Sequence, residues 1–171
     1  MGDHQQARQY FERCLALIRQ VGDKDGEAKT LTNIGNGYFD FGHLQHALGC
    51  HEQALTLVRQ IGDKVGEAII LTNIGSVYSA LGDELQALDF YKQALPIQRQ
   101  VGDKTGEAKT LNNIGSVCMM MNDQTQALQY FGHALSLRHQ VGDKAGESIT
   151  LTNVGRVHAI LGRPSNCSPV L

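Results

Sequence analysis

The side chains best suited to recognition chemistry are asparagines that recur every 40 residues. These ladder asparagines are Asn33, Asn73, Asn113 and Asn153. An asparagine amide carries both a donor and an acceptor, so it can pair with the backbone of an extended peptide without requiring a particular side chain. Each amide could instead bond to a neighbouring helix and set the geometry of the repeat. Peptide binding is the preferred interpretation, because asparagine is otherwise disfavoured inside helices.

Metal binding and catalysis have weaker support in the sequence. His43, His46 and Cys50 are spaced by three and four residues, which can bring ligands to one metal. The cluster occurs in one repeat only, however, and structural zinc normally has four ligands. With 17 acidic residues and seven histidines, chance proximities are expected, and no Ser-His-Asp, Cys-His or paired-carboxylate arrangement stands apart. The sequence therefore predicts no metal, no cofactor and no enzymatic activity.

Charge and composition narrow the range of partners. The formal net charge is −2, and the basic residues are spread along the chain. Neither nucleic acid nor an anionic membrane surface is therefore favoured as a partner. No apolar run reaches the ~18 residues of a membrane span, and the first residues lack the features of a secretory signal. The four cysteines show no paired spacing, which is typical of a reducing compartment and predicts a cytoplasmic protein.

A 40-residue repeat organises most of the chain. The string Gly-Asp-Lys-x-Gly-Glu begins at Gly22, Gly62, Gly102 and Gly142. Each repeat contains two stretches with helical apolar spacing, and in one repeat these predict a first helix over residues 64–81 and a second over 84–101. Gly-Asp pairs separate the helices, since glycine can end a helix in the left-handed conformation and aspartate can cap the next one. Asn122 replaces glycine at one such turn and is the next-best residue for that conformation.

Antiparallel helices joined by such short turns form hairpins that bury their apolar faces by stacking. The predicted fold is therefore all-α, a right-handed α-solenoid of antiparallel helix hairpins. Gly75 and Ala87 would allow the two helices of a repeat to approach closely, with Tyr91 filling the space beside them. His51 stands at the position of Tyr91, so looser packing is expected in the first full repeat.

The predicted organisation is a single array over residues 1–162. It consists of a half repeat (1–21), full repeats (about 22–61, 62–101 and 102–141), a partial repeat (142–162) and a tail, 163–171, expected to be disordered. The tail has no repeat character, and the array begins on a second helix and finishes on a first helix. This arrangement suggests a fragment of a longer array, or a short protein whose uncapped ends pair with each other or with a second copy.

The repeat resembles the tetratricopeptide repeat family. The residues that carry the resemblance are Leu71, Ile74, Gly75, Tyr78, Ala87, Tyr91 and Ala94. The usual repeat has ~34 residues, and the 40-residue form is similar to arrays in Pins/LGN-type G-protein signalling modulators and to arrays attached to CHAT-type proteases or STAND-type ATPases. One departure is that Pro96 lies inside the second helix rather than near its end.

The resemblance implies a peptide-binding groove lined by the first helices, in which related arrays use asparagine at the ladder position. Carried over by position, the candidate groove residues are Lys29, Asn33, Asn36, Thr72, Asn73, Ser76, Lys109, Asn112, Asn113, Ser116, Asn153 and Arg156. The same positions also include Thr32, Ile69, Ile149 and Thr152.

The carboxylate clamp of chaperone-binding family members is only partly matched. Asn36, Asn73 and Lys109 stand in matching places, whereas Thr32 and Asn113 replace two cationic residues. Strong recognition of a carboxylate is therefore not expected.

Two functions remain open at this stage. The first is an interaction scaffold that binds an extended segment of a protein partner in the groove. The alternative is a sensory or regulatory segment of a larger signalling enzyme or ATPase. Self-association through the uncapped ends is a third, less favoured mode of action.

Overall fold

The computed structural model describes residues 2–162, apart from the side chains of residues 2–5 and 8, so the predicted tail at 163–171 lies outside the described residues. The described part contains helices joined by short turns, with no strand. The helices are α1 (Gly2–Val21), α2 (Lys24–Asp40), α3 (Leu44–Ile61), α4 (Lys64–Leu81), α5 (Glu84–Val101), α6 (Lys104–Met120), α7 (Gln124–Val141) and α8 (Lys144–Leu161).

The all-α fold of stacked helix hairpins is confirmed. The first and second helices predicted over 64–81 and 84–101 are α4 and α5, and α5 continues through Pro96, whose side chain is exposed. The chain divides into two compact units, Met1–Gly102 (unit 1) and Asp103–Leu171 (unit 2). In unit 1, α2 packs on α3, α3 on α4, and α4 on α5. In unit 2, α6 packs on α7, and α7 on α8.

The turn between α3 and α4 explains the start of the repeated motif. Gly62 has a φ of 75° and ends α3 in the left-handed conformation. Asp63 then caps α4, because its Oδ1 accepts a hydrogen bond from the backbone N–H of Gly66 at 2.9 Å. A Cβ atom on Gly66 would collide with this carboxylate. At the turn before α7, Asn122 has a φ of 61°, which confirms its prediction as the replacement for glycine.

The glutamate of the same motif joins consecutive repeats. Glu67 Oε1 accepts from Arg59 Nε of α3 at 2.8 Å, and its Oε2 accepts from Lys64 Nζ at 2.7 Å. Burial raises the pKa of Glu67, but the hydrogen bonds and charges of Lys64 and Arg59 outweigh it and leave the pKa below its ordinary value. The motif is thus accounted for by helix capping and by ion pairing between helices.

Close packing within each repeat depends on one glycine and one ring. A Cβ on Gly75 would lie 2.6 Å from Tyr91 Cε1, and a Cβ on Gly115 would lie 2.7 Å from Phe131 Cε1. A Cβ on Gly35 would likewise lie 2.6 Å from His51 Cε1. The expectation of looser packing around His51 is therefore wrong at this contact.

Burial of the His51 ring has an electrostatic cost that burial of the Tyr91 and Phe131 rings does not have. His51 is 1% exposed, and its Nδ1 has no hydrogen-bond partner. Desolvation therefore lowers the pKa of His51 to about 4, because a charged imidazolium is unfavourable in this interior.

Candidate functional site

Unit 1 contains a pocket of about 500 Å³ formed by α2, the end of α3 and the start of α4. Its lining includes the predicted groove residues Lys29, Asn33 and Ile69, of which Ile69, like Val65, is an exposed aliphatic side chain. The remaining lining residues are Asp25, Ala28, Thr32, Val58, Asp63, Gly66 and Ile70. An aliphatic floor with polar groups at its edge is the usual composition of a ligand-binding pocket.

The charged groups of this pocket are mainly acidic. Lys29 Nζ donates to Asp25 Oδ2 at 2.6 Å. This hydrogen bond and the charge of Asp25 raise the pKa of Lys29, with smaller contributions from the charges of Asp63 and Asp23. Two carboxylates and one ammonium therefore line the pocket, which favours a ligand with a positive charge.

The ladder asparagines of unit 1 have different surroundings. Asn33 is exposed at the edge of the pocket. Asn73 Nδ2 donates to Oδ1 of the exposed Asn36 at 3.2 Å. The structure thus brings Asn36 and Asn73 together on adjacent first helices.

Thr72 and Ser76 use their hydroxyl groups within the fold. Thr72 is buried, donates to Ala68 O at 2.9 Å and accepts from Gln98 Nε2 at 3.2 Å. Ser76 donates to Thr72 O at 3.0 Å and accepts from Tyr91 Oη at 3.2 Å. The bonds from Gln98 and Tyr91 join α5 to α4.

In unit 2 the asparagines form an interior link. Asn112 is 7% exposed, and its Oδ1 accepts from Thr150 Oγ1 at 3.1 Å and from Asn153 Nδ2 at 3.2 Å. Asn112 and Asn153 thereby connect α6 to α8. Of the remaining predicted residues in unit 2, Asn113 and Ser116 are half-buried, and Lys109 and Arg156 are exposed.

The histidine cluster packs as aromatic rings. The His46 ring lies 5.2 Å from that of Tyr38, and the His43 ring lies 6.2 Å from it. Within residues 2–162, no group of three or more His, Cys, Asp or Glu side chains is arranged to hold a metal ion. None of the helices described there combines the length and apolarity needed to cross a bilayer.

Sequence reasoning predicted Ile69 as a groove residue but missed Val65 and the acidic lining of the unit 1 pocket. Asp25 lies four residues before Lys29, a spacing that places the two charges together on a helix. Val65 lies four residues before Ile69 by the same rule, and both face the pocket. Asp63 belongs to a Gly-Asp turn, and its position there indicates only a helix cap.

Solved structures with the same fold come from several kinds of protein. The chain is similar to BtubC from P. vanneervenii, with a TM-score of 0.74 and 18% identity over 99% of this chain and 80% of that one. It is similar to a STAND signal-transduction ATPase with a tetratricopeptide repeat sensor from Pyrococcus horikoshii (TM-score 0.73, 19% identity, 90% of this chain), but it spans only 24% of that protein.

A third similar structure is the first tetratricopeptide repeat domain of Spaghetti bound to the HSP90 peptide SRMEEVD. Its TM-score is 0.62, with 17% identity over 80% of this chain and 94% of that one. At these identities the likeness establishes the fold alone. No curated protein matches the sequence.

The family model described as tetratricopeptide repeat matches residues 1–60, 47–100 and 106–166, which together cover most of the sequence. Repeats of this family typically mediate protein–protein interaction, and proteins built from them are generally non-enzymatic scaffolds. The chain belongs to the tetratricopeptide repeat family.

Proposed function

We propose that this chain is a protein-interaction scaffold that binds an extended peptide segment of a partner on its first helices. The observation that carries the proposal is the unit 1 pocket, which combines an aliphatic floor with Lys29 and Asn33 at its edge. One aliphatic side chain of the peptide enters the pocket. The exposed amide of Asn33 pairs with the peptide backbone beside it.

The charges of the pocket define the preferred peptide. Asp25 and Asp63 line it, and Lys29 is already paired with Asp25. A peptide with Lys or Arg next to its aliphatic anchor therefore binds better than an acidic one. The acidic peptide SRMEEVD, bound by the Spaghetti domain, is expected to bind weakly here, in agreement with the two missing cationic residues of the carboxylate clamp.

The remaining predicted residues form an extended part of the proposed site. Asn36 and Asn73 offer a paired amide surface on unit 1. Lys109, Asn113, Asn153 and Arg156 are proposed as contacts on unit 2. Four further predicted residues are proposed to hold the helices in place instead of contacting the peptide, because their polar atoms form hydrogen bonds inside their own units. They are Thr72, Ser76, Asn112 and Ser116.

Selection from a random peptide library on the immobilised protein tests the proposal. Enriched peptides, made with a fluorescent label, are then titrated against the wild type, Asn33→Ala and the control Gln100→Ala, an exposed amide on α5. We expect an aliphatic residue next to a basic one in the enriched peptides. We also expect a loss of about tenfold for Asn33→Ala, or about 1.4 kcal/mol, and no loss for Gln100→Ala.

Two results would contradict the proposal. One is the absence of any enriched peptide, and the other is an equal response of both variants. Selection of acidic peptides that end in a free carboxylate would overturn the assignment of the ligand while leaving the binding surface in place.

A sensory or regulatory segment of a larger signalling protein is the second candidate. The likeness to the sensor-bearing STAND ATPase, of which this chain spans 24%, supports it. A cytoplasmic location belongs to both proposals and is supported by the absence of paired cysteine spacing. Coding sequence for an ATPase or protease domain in frame with this chain would favour the second candidate. A transcript that encodes only these 171 residues would exclude it.

A further inference from the structure

The residues that line the unit 1 pocket have counterparts 80 positions later in unit 2. Six of them form the unit 2 counterpart site: Thr105, Lys109, Arg138, Asp143, Gly146 and Ile149. Arg138 replaces Val58 and adds a guanidinium, whereas Thr105 replaces Asp25 and removes a carboxylate. Two cations and one carboxylate thus stand where the unit 1 pocket has one cation and two carboxylates. The charge preference is therefore reversed, in favour of an anionic ligand.

The guanidinium of Arg138 occupies the place that the Val58 side chain has in unit 1. A Cβ on Gly66 would lie 3.0 Å from Val58 Cγ1, and a Cβ on its counterpart Gly146 would collide with Nη1 of Arg138. The end of α7 therefore presents Arg138 to the start of α8 as α3 presents Val58 to α4. None of the residues that line the unit 1 pocket belongs to α5, the helix that follows α4. The next helix of an array thus leaves these positions uncovered.

The positive charge of Arg138 is buried and poorly compensated. Arg138 is 6% exposed, and within residues 2–162 its Nε has no hydrogen-bond partner. Its ion pair with Asp143 is long, at 3.9 Å between Nη1 and Oδ2, and Asp143 Oδ1 already accepts from the backbone N–H of Gly146. Burial therefore lowers the pKa of Arg138 more than the charge of Asp143 raises it. A buried cationic donor without an acceptor is costly, and an anionic ligand would supply the acceptor.

We propose that the unit 2 counterpart site binds the carboxylate of an acidic side chain in a peptide, at the guanidinium of Arg138. A planar guanidinium binds a carboxylate through two parallel hydrogen bonds, and Nε with one Nη supplies such a pair. The exposed Lys109 adds a second positive charge at the edge of the site. Asp143 offsets one of these two charges, so the single charge of a carboxylate matches the site better than the double charge of a phosphate.

The occupant is a peptide side chain because an aliphatic residue borders the charged groups. Ile149 is 56% exposed, and the methylene groups of a glutamate can pack on it while the carboxylate reaches Arg138. The ligand is a peptide, as in the proposed function on which this assignment rests, but its contact with Arg138 does not require the unit 1 pocket. The site is also distinct from the carboxylate clamp, whose residues lie on first helices, because Arg138 lies on the second helix α7.

Nuclear magnetic resonance of the isotope-labelled chain tests the proposal through the Nε–H signal of Arg138, which is assigned by its absence in Arg138→Gln. The probes are acetyl-Gly-Glu-Gly-amide and its neutral match acetyl-Gly-Gln-Gly-amide, added at constant ionic strength because salt screens charges. We expect a saturable shift with the glutamate peptide, with a Kd of about 1–10 mM, and none with the glutamine peptide. No shift with the glutamate peptide, or equal shifts with both, would overturn the proposal.

A matched variant separates the role of Arg138 from a general loss of charge. Lys92→Gln removes one positive charge from an exposed site of α5. Arg138→Gln is expected to keep its fold and its Tm, because Gln98 occupies the same repeat position and is 1% exposed there. Followed by the backbone amide of Ile149, the glutamate peptide should bind Arg138→Gln at least about tenfold more weakly than Lys92→Gln. Equal binding by the two variants would contradict the proposal.

Acetate distinguishes a peptide side chain from a small free anion. Acetate should bind at least about threefold more weakly than the glutamate peptide, because it lacks the methylene groups that pack on Ile149. Equal Kd values would overturn the assignment to a peptide side chain.

The two units are read separately in the same spectra. The backbone amide of Asn33 reports on the unit 1 pocket, and Nε–H of Arg138 reports on unit 2. If a library-selected peptide shifts Asn33 while the glutamate peptide leaves Arg138 unshifted, the unit 2 site alone is overturned. The reverse result would overturn the unit 1 proposal alone.

Discussion

The two units use the same ladder asparagine in different ways. In unit 1, Asn73 bonds to the exposed Asn36. In unit 2, Asn153 bonds to the buried Asn112, which also accepts from Thr150. Asn112 lies four residues before Ser116, the counterpart of Asn36 in the repeat. The accepting asparagine of unit 2 therefore lies about one helical turn before the repeat position of the accepting asparagine in unit 1. This shift replaces a pair of amides at the surface with a buried hydrogen-bonded link between two helices.

The interiors of the units differ at the ring that packs on the repeated glycine. Unit 1 has both His51 and Tyr91 at this position, whereas unit 2 has Phe131. All three rings pack equally closely, but only His51 carries a buried nitrogen without a partner. The repeat thus keeps the close packing of a ring on the glycine but not the polarity of that ring. The buried histidine makes the stability of unit 1 depend on pH.

The largest expected effect is therefore a loss of stability in mild acid. The pKa of His51 is lowered from its ordinary value of 6.5 to about 4 in the folded state. The unfolded chain binds the proton more readily, so stability is fully present above about pH 6.5 and falls as the pH decreases towards 4. The loss should approach about 3 kcal/mol, measured by urea unfolding at several pH values.

His51→Phe supplies the control for this measurement, because it reproduces the Phe131 interior. Its free energy of unfolding should vary little between pH 6.5 and about pH 5. Below that, protonation of Glu67, whose pKa is lowered by Lys64 and Arg59, destabilises both proteins. If the free energies of unfolding of the wild type and of His51→Phe fell equally between pH 6.5 and about pH 5, the role assigned to His51 would be refuted.

Alanine at the packing glycines provides a second comparison. Gly35→Ala in unit 1 and Gly115→Ala in unit 2 should each cost about 1–3 kcal/mol, because the new methyl group overlaps a buried ring. Gly132→Ala, at an exposed site of α7, should instead stabilise by up to about 1 kcal/mol. Thermal unfolding measures all three, and a markedly smaller cost at Gly35 would show that the histidine interior yields more easily.

The smallest of these stability effects is expected at Asn36, and its comparison with Asn112 distinguishes the two asparagine arrangements. Asn112→Ala leaves the donors of Thr150 and Asn153 without their acceptor and should cost about 1–3 kcal/mol. Asn36→Ala removes an exposed acceptor and should change stability by less than about 0.5 kcal/mol. Urea unfolding of both variants tests the comparison, and equal losses would mean that the unit 1 pair is also a structural link.

Most of the fold was predictable because its signals are local. Helix bounds follow from apolar spacing and from Gly-Asp turns, and α4 and α5 match their predicted ranges at both ends. The close packing of His51 was not predictable from its residue type, because it depends on how closely Gly35 allows α3 to approach α2.

The candidate site was predictable in position but not in chemistry. The repeat places the ladder asparagines on the first helices, yet the partner of each amide depends on which side chain the adjacent helix brings within reach. Thr72 is buried and accepts a hydrogen bond from Gln98 of α5. The two residues are 26 positions apart, so no local pattern indicates this contact. The acidic lining of the unit 1 pocket likewise arises from two separate segments, with Asp25 in α2 and Asp63 just before α4.

The most direct test of the peptide-binding proposal compares two isoleucines at the same repeat position. Ile69 lines the unit 1 pocket and is 44% exposed, while Ile149 in unit 2 is 56% exposed. A labelled library-selected peptide is titrated against the wild type, Ile69→Glu and Ile149→Glu by fluorescence anisotropy. We predict that Ile69→Glu raises the Kd at least about tenfold, and that Ile149→Glu changes it by less than about threefold. Unchanged affinity in Ile69→Glu, or an equal loss in both variants, would contradict binding at the unit 1 pocket.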